Sequence, residues 1–119
     1  MNAHDDRIDG RKAWRTADST ENHGVLSGVR VLDLSRVLAG PYTTQTLADQ
    51  GAEVIKVEAP TGDETRGWGP PFIESGTSSA YYAGLNHSKE NISLDLRTDQ
   101  GRGILRELLA GADVVVENF

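Results

Sequence analysis

The sequence predicts an α/β fold, with an open, mainly parallel, Rossmann-like sheet and flanking helices. Short runs rich in Val and Leu alternate with helical segments in the order β-α-β-loop-β-α-β, which favours parallel strands joined by crossovers. The last run contains three consecutive valines, a pattern typical of a parallel strand covered on both faces. Because no helix follows to cover that strand, we expect an incomplete fold, the N-terminal part of a larger domain.

The first α/β unit begins with a strand over Val29–Ser35, in the sequence VRVLDLS. A helix is expected to start at Pro41, because proline lacks the N–H that the first helical turn leaves unpaired. Gly51 fits the end of that helix. The second strand is predicted over Glu53–Val57.

The second half of the chain opens with a loop over Thr61–Ser79, rich in Gly, Pro and Ser and without periodicity. A third strand follows over Ile92–Leu96, and Thr98 is the predicted N-cap of the next helix. Gly111 marks its end, and the last strand lies in DVVVENF. In the helix between Thr98 and Gly111, four apolar residues fall on one stripe, which is predicted to face the sheet: Ile104, Leu105, Leu108 and Leu109.

Composition excludes several functional classes. A formal net charge of -6 argues against nucleic-acid and anionic-membrane partners, which both attract basic surfaces. No run reaches the roughly 20 apolar residues of a membrane helix. Cysteine is absent and the three histidines are scattered, so we expect no metal centre and a cytoplasmic protein.

Residues 1–25 are predicted to be a disordered leader, because they mix charges of both signs with almost no apolar periodicity. Trp14 is the exception in this segment. It is either a chance contact or a docking point, and the sequence leaves both open. Residues 26–119 form the expected domain.

A ligand site is expected beyond the carboxyl ends of the strands, where helix N-termini present unpaired N–H groups. Arg36 and Arg97 follow two of these ends and are candidates for binding phosphate. The alternative for Arg36 is a surface ion pair with Asp33 or Asp63. No G-x-G-x-x-G or P-loop motif occurs, which argues against NAD, FAD and ATP.

No convincing catalytic set of carboxylates is present. Asp33 is interpreted as a structural hydrogen-bond partner, and Asp63 and Glu64 as residues that organise the loop. Two aromatic residues of the loop, Trp68 and Phe72, either line an apolar pocket or pin the loop to the core, with pinning slightly favoured.

Three motifs in register then carry a family resemblance: LSGVRVLDLSRVLAGP, GAEVIKVEAP with GDETRGWGPPF, and NHSKENISLDLRTDQGRGILRELLAGADVVVENF. Over Leu26–Phe119 the chain resembles the N-terminal part of the class III CoA-transferases. The resemblance implies coenzyme A or an acyl-CoA as substrate, a carboxylic acid as its second small-molecule partner, and an interlocked homodimer. It also implies nine CoA-binding residues: Val37, Leu38, Ala39, Leu94, Asp95, Leu96, Arg97, Asn118 and Phe119. Arg36, already a candidate from its place at a strand end, brings the predicted CoA-binding set to ten.

By the same resemblance, CoA moves from an acyl-CoA donor to a free acid through an aspartyl-CoA intermediate. The nucleophilic aspartate of the family lies downstream of Phe119, so no catalytic residue is assigned in this chain and the isolated fragment is expected to be inactive. Ala59 stands where some members carry a basic residue, so one phosphate contact is either missing or supplied by another residue. Two alternatives stay open: a racemase acting on α-methylacyl-CoA esters, and an inactive, truncated CoA-binding module.

Overall fold

In the computed structural model, which describes residues 14, 24–74 and 76–119, the α/β prediction is confirmed. Four strands form one sheet in the order β3-β2-β1-β4, and every neighbouring pair is parallel. This is the strand order at the start of a Rossmann sheet. The elements are β1 (Arg30–Asp33), α1 (Ala39–Asp49), β2 (Glu53–Glu58), α2 (Ala80–Asn86), β3 (Glu90–Ser93), α3 (Asp99–Gly111) and β4 (Val114–Val116).

Two apolar clusters cover the two faces of the sheet. On one face, α1 packs through Leu47 and Ala48 against Val31, Ala52 and Val54. On the other face lies a second cluster, to which α3 contributes. Its buried members are Trp14, Leu32, Ile55, Val57 and Leu108.

Helix boundaries follow local hydrogen-bond chemistry. The first helix begins at Ala39 rather than at Pro41, which the sequence had indicated. Pro41 still lies in the first turn, where its missing N–H leaves no partner unsatisfied. Thr98 caps α3 as predicted, with its hydroxyl accepting a bond from the Gly101 N–H at 3.0 Å.

The segment predicted as a structureless loop over Thr61–Ser79 contains a 3₁₀ turn at Glu64–Gly67. The Asp63 carboxylate caps that turn through the Thr65 N–H. Helix α2 follows the loop and was missed by the sequence analysis. It has only seven residues and a glycine in its interior, so its propensity is weak, and its N-cap is Ser79.

Exposed apolar side chains lie on β4 and α3. Val114 and Val115 are 38% and 45% exposed, in agreement with the expectation that no helix in this chain follows β4 to cover it. Leu109 was predicted to face the sheet, but it is 38% exposed, so that prediction was wrong and the stripe of α3 that faces the core consists of Ile104, Leu105 and Leu108. The third strand was predicted over Ile92–Leu96 but runs over Glu90–Ser93, so Leu94 and Leu96 lie in the turn after it.

Candidate functional site

A crevice of about 660 Å³ lies beyond the carboxyl ends of β1, β2 and β3. Because parallel strands end at the same edge of a sheet, three connecting segments meet there. The residues that line it are Leu34, Ser35, Arg36, Lys56, Val57, Glu58, Ala59, Pro60, Thr61, Gly62, Asp63, Glu64, Leu94, Asp95, Leu96, Arg97 and Phe119.

Six of the ten predicted CoA-binding residues line this crevice: Arg36, Leu94, Asp95, Leu96, Arg97 and Phe119. Asn118 lies beside it, because its side-chain amide pairs with the Arg36 backbone, accepting from the N–H at 3.0 Å and donating to the carbonyl at 2.7 Å. Val37, Leu38 and Ala39 are not among the lining residues. Val37 and Leu38 belong to the turn from β1 into α1, and Ala39 is the first residue of α1; the Leu38 side chain is 52% exposed.

The turn from β1 into α1 has a strained backbone. Val37 has a φ of 71°, in the left-handed region that β-branched residues rarely adopt. Gly40 lies so close to Ser35 that an added Cβ would be 2.1 Å from the Ser35 Cβ. A larger residue at position 40 therefore requires the turn to move.

Both candidate phosphate-binding arginines are exposed and have carboxylate partners. Arg97 makes two bonds to Asp95, at 2.9 and 3.0 Å, and its side chain is 88% exposed. Arg36 approaches Glu64 at 3.4 Å, so the predicted partners Asp33 and Asp63 were wrong. Exposed ion pairs contribute little to stability, which leaves both guanidinium groups able to turn toward an anion.

A buried ammonium group joins two walls of the crevice. The Lys56 side chain is 1% exposed, and it donates to the Ser35 carbonyl at 3.1 Å and to the Asp63 carboxylate at 2.9 Å. Burial raises the pKa of Asp63, but hydrogen bonds from Thr65 and Lys56 outweigh this and hold the pKa below its usual value. The lysine therefore fixes the end of β1 to the segment after β2.

Glu58 anchors the same segment from the end of β2. Its carboxylate accepts from Arg66 at 2.9 and 2.8 Å, from the Asp63 N–H at 2.8 Å, and from the Tyr82 hydroxyl. Burial acts to raise the pKa of Glu58, but the bonds from Arg66, Tyr82 and Asp63 lower it to about 2. This carboxylate stays ionised and holds the loop on the sheet.

Asp33 is structural, as the sequence indicated. Its carboxylate is fully buried and accepts from the Ser35 N–H at 2.9 Å, the Thr44 hydroxyl at 2.6 Å and the Lys89 ammonium at 3.1 Å. Burial raises its pKa, but the bonds from Ser35 and Thr44 and the charge of Lys89 outweigh burial and lower the pKa. With its lone pairs occupied, this carboxylate is unsuited to nucleophilic attack.

The loop aromatics lie outside the crevice. Trp68 and Phe72 are each 50% exposed, and the Trp68 ring packs on Tyr81 with centroids 5.5 Å apart. Trp68 thus contacts α2, but neither ring belongs to the two apolar clusters, so the favoured interpretation that these residues pin the loop to the core was wrong. Trp14 is buried, which favours the docking interpretation of that residue. Residues 1–13 and 15–23 of the predicted leader lie outside the described residues.

Sequence reasoning gave Lys56 and Glu58 no role in the site. The pattern did contain a signal, because Lys56 interrupts the apolar residues of this strand and Glu58 ends it. Charged side chains are rarely buried unless they are paired.

Within the described part of the chain, no group of three or more His, Asp or Glu side chains is placed to hold a metal ion. None of the described helices combines the length and apolar composition needed to cross a membrane.

Comparison with known proteins decides the family. Residues 26–119 match the model of CoA-transferase family III. The chain belongs to this family.

Two relatives named as glutarate CoA-transferases are close in sequence. A succinate–glutarate CoA-transferase of Agrobacterium fabrum is 56% identical over 99 residues, which cover 79% of this chain and 25% of that protein. The human succinyl-CoA:glutarate CoA-transferase is 50% identical over 113 residues, which cover 92% of this chain and 25% of the relative. The chain thus spans about a quarter of the length of these relatives.

Solved structures with a similar fold were also found. A CaiB/BaiF family protein from Brucella suis superposes with a TM-score of 0.78 at 53% identity, over 83% of this chain and 26% of that one. The protein Rv3272 of Mycobacterium tuberculosis superposes with a TM-score of 0.69 at 39% identity, over 79% of this chain and 25% of that one. Both superposed proteins therefore contain this α/β unit as part of a longer chain.

Proposed function

We propose that this chain forms the CoA-binding part of a CoA-transferase, which moves CoA from an acyl-CoA donor to a free carboxylic acid. The observation that supports this most directly is the crevice itself, in which the turns after three parallel strands meet and two exposed arginines stand at the rim. Its volume lies within the range of about 300–1,000 Å³ typical of small-molecule sites.

The charges in the crevice indicate how an anionic cofactor binds. Lys56 and Asp63 neutralise one another in the buried wall, so they offer no net charge to a ligand. Arg36 and Arg97 are the remaining cations among the lining residues. A diphosphate binds by displacing Glu64 and Asp95 from these guanidinium groups, and planar bidentate pairing favours that exchange.

The apolar lining supports a role for the rest of the cofactor. Leu34, Val57, Leu94 and Leu96 line the crevice between the polar segments. Apolar walls with a few polar groups at defined positions are typical of cofactor sites. We assign the adenosine diphosphate end of CoA to the segment Leu94–Arg97, and the β1–α1 turn to contacts farther along the cofactor.

The chemistry of transfer requires a nucleophile that we place outside this chain. An aspartate attacks the acyl thioester and releases CoA thiolate, which then attacks the new anhydride to give an aspartyl-CoA thioester and the free donor acid. The acceptor carboxylate attacks the aspartyl-CoA thioester, which releases CoA thiolate and forms a second anhydride. The thiolate then attacks the acceptor carbonyl of this anhydride, which gives the acceptor's CoA ester and restores the aspartate. The names of the relatives favour transfer over racemisation. An interlocked homodimer and a cytoplasmic location remain part of the proposal.

Isothermal titration with CoA tests the binding role. Wild-type chain is expected to bind, and Arg36→Ala and Arg97→Ala each to raise Kd by about tenfold or more, because each removes charge-assisted hydrogen bonds. Arg106→Ala is the control, since Arg106 is exposed on α3 and does not line the crevice. Absence of binding, or equal affinities for all three variants, contradicts the proposal.

A further inference from the structure

Trp14 is buried although its sequence neighbours are mostly polar or charged. Its side chain is 3% exposed, and its indole N–H donates to the Leu108 carbonyl in α3 at 3.3 Å. A buried indole usually needs such a partner, because an unpaired N–H away from water is costly. Both the ring and its polar atom are therefore accommodated by the fold.

The cluster that contains Trp14 also forms part of the crevice. Trp14 packs in one apolar cluster with Leu32, Ile55, Val57 and Leu108, and Leu34 and Leu94 pack against the same cluster. Three of these residues also line the crevice: Leu34, Val57 and Leu94. The indole thus supports the apolar wall of the crevice from the core side.

We propose that Trp14 is a positioning residue for the CoA crevice, acting through this shared wall. Removing a large buried side chain leaves a space into which neighbouring side chains relax, and here those neighbours include the residues that line the crevice. Loss of Trp14 therefore weakens CoA binding without removing any residue that lines the crevice. This inference rests on the proposed function.

Burial of Trp14 is tested first, without ligand. The chain has two tryptophans, Trp14 and Trp68, and Trp68 is 50% exposed. In a Trp68→Phe variant, Trp14 is the sole tryptophan, and its fluorescence should resist quenching by iodide. In the matched Trp14→Phe variant, Trp68 should be quenched readily. Equal quenching of the two variants would show that Trp14 is not docked and would overturn the proposal.

Coupling to the crevice is tested by titrating CoA into Trp14→Ala, Trp14→Leu and Trp14→Phe, at a temperature where circular dichroism shows each variant folded. Kd should rise in the order Phe, Leu, Ala as side-chain volume is lost, reaching about tenfold for alanine. Trp68→Ala, outside both the cluster and the crevice, should match wild type. If the Trp14→Ala variant does not fold, the Kd values of the leucine and phenylalanine variants still test the predicted order.

The possible failures are distinguishable. If wild type binds CoA and all three Trp14 variants bind equally well, the positioning role is wrong and the proposed function stands. If wild type does not bind CoA, the proposed function fails and this role fails with it, although the quenching result still reports whether Trp14 is docked.

Discussion

Replacing Glu58 with glutamine should destabilise the chain strongly, because this carboxylate is the acceptor at the centre of a buried network. Its side chain is 4% exposed, and Arg66, Tyr82 and the Asp63 N–H all donate to it. Glutamine preserves the shape but presents an amide N–H₂ where a carboxylate oxygen stood. At least one donor of the network is then left without an acceptor.

The lowered pKa of Glu58 gives the size of the expected loss in the free energy of unfolding. A fall from 4.5 to about 2 means that the folded state favours the carboxylate over the neutral acid. At about 1.4 kcal/mol per unit, this preference is about 3 kcal/mol. Because the neutral amide resembles the protonated acid, Glu58→Gln should lower the free energy of unfolding by about 3 kcal/mol at neutral pH.

The sign of the pH dependence follows from the same shift. A depressed folded-state pKa contributes stability above pH 4.5, and this contribution is lost as the pH falls from about 4.5 toward about 2. Wild type should therefore lose stability in that window, whereas Glu58→Gln should lack this component. Asp33 and Asp63, whose pKa values are also lowered, should preserve part of the acid sensitivity in the variant.

Urea unfolding followed by circular dichroism measures both effects. With a slope of about 1.5 kcal/mol per M, a loss of about 3 kcal/mol lowers the midpoint by roughly 2 M. Glu74→Gln is the matched control, because Glu74 is exposed on the same loop. Equal midpoints for wild type and Glu58→Gln at neutral pH would refute the reasoning.

Three further substitutions test other parts of the site. Lys56→Met should lower the free energy of unfolding by about 3–5 kcal/mol at neutral pH, because it leaves the buried Asp63 carboxylate without its counter-charge, and this deficit in urea unfolding should narrow as the pH falls and Asp63 is protonated. Gly40→Ala should lower Tm, because the new Cβ would overlap Ser35 at 2.1 Å; an unchanged Tm would show that the turn moves freely. Gly103→Ala should instead raise stability by about 1 kcal/mol, because a Cβ at this site in α3 meets open space; a loss would contradict that reading.

The elements with strong periodicity or clear capping chemistry were predictable from the sequence. Helix α3 begins after Thr98 and ends at Gly111, as predicted. The Thr98 hydroxyl is a suitable N-cap because it accepts a hydrogen bond from an N–H that has no partner within the helix. Helix α2 was not predictable, because seven residues around Gly84 have little intrinsic helicity and depend on packing and on the Ser79 cap.

The residues that cover β4 could not be predicted, for a different reason. Three consecutive valines indicate an apolar environment on both sides of a strand, but they do not say which residues provide it. In the sheet order, β4 has one neighbour, β1, and its outer edge is open in the described part of the chain. Covering a strand is a property of the assembled layers, which a local pattern does not encode.

Some residues of the candidate site could also be predicted from the sequence, and others could not. Residues at strand ends, such as Arg36 and Arg97, could be placed from strand order alone, because parallel strands end together. Buried partners such as Lys56 and Glu58 depend on which side chains meet across the sheet. Their pairing with Asp63 and Arg66 spans a turn whose path the sequence did not give.

Photolabelling with an 8-azidoadenosine derivative of CoA, followed by peptide mapping, tests the central claim most directly. The adenine is expected to label the turn at Leu94–Arg97, with unmodified CoA in excess suppressing the reaction. Labelling confined to the outer surface of α3, or labelling that excess CoA does not suppress, would contradict a CoA site at the carboxyl edge of this sheet.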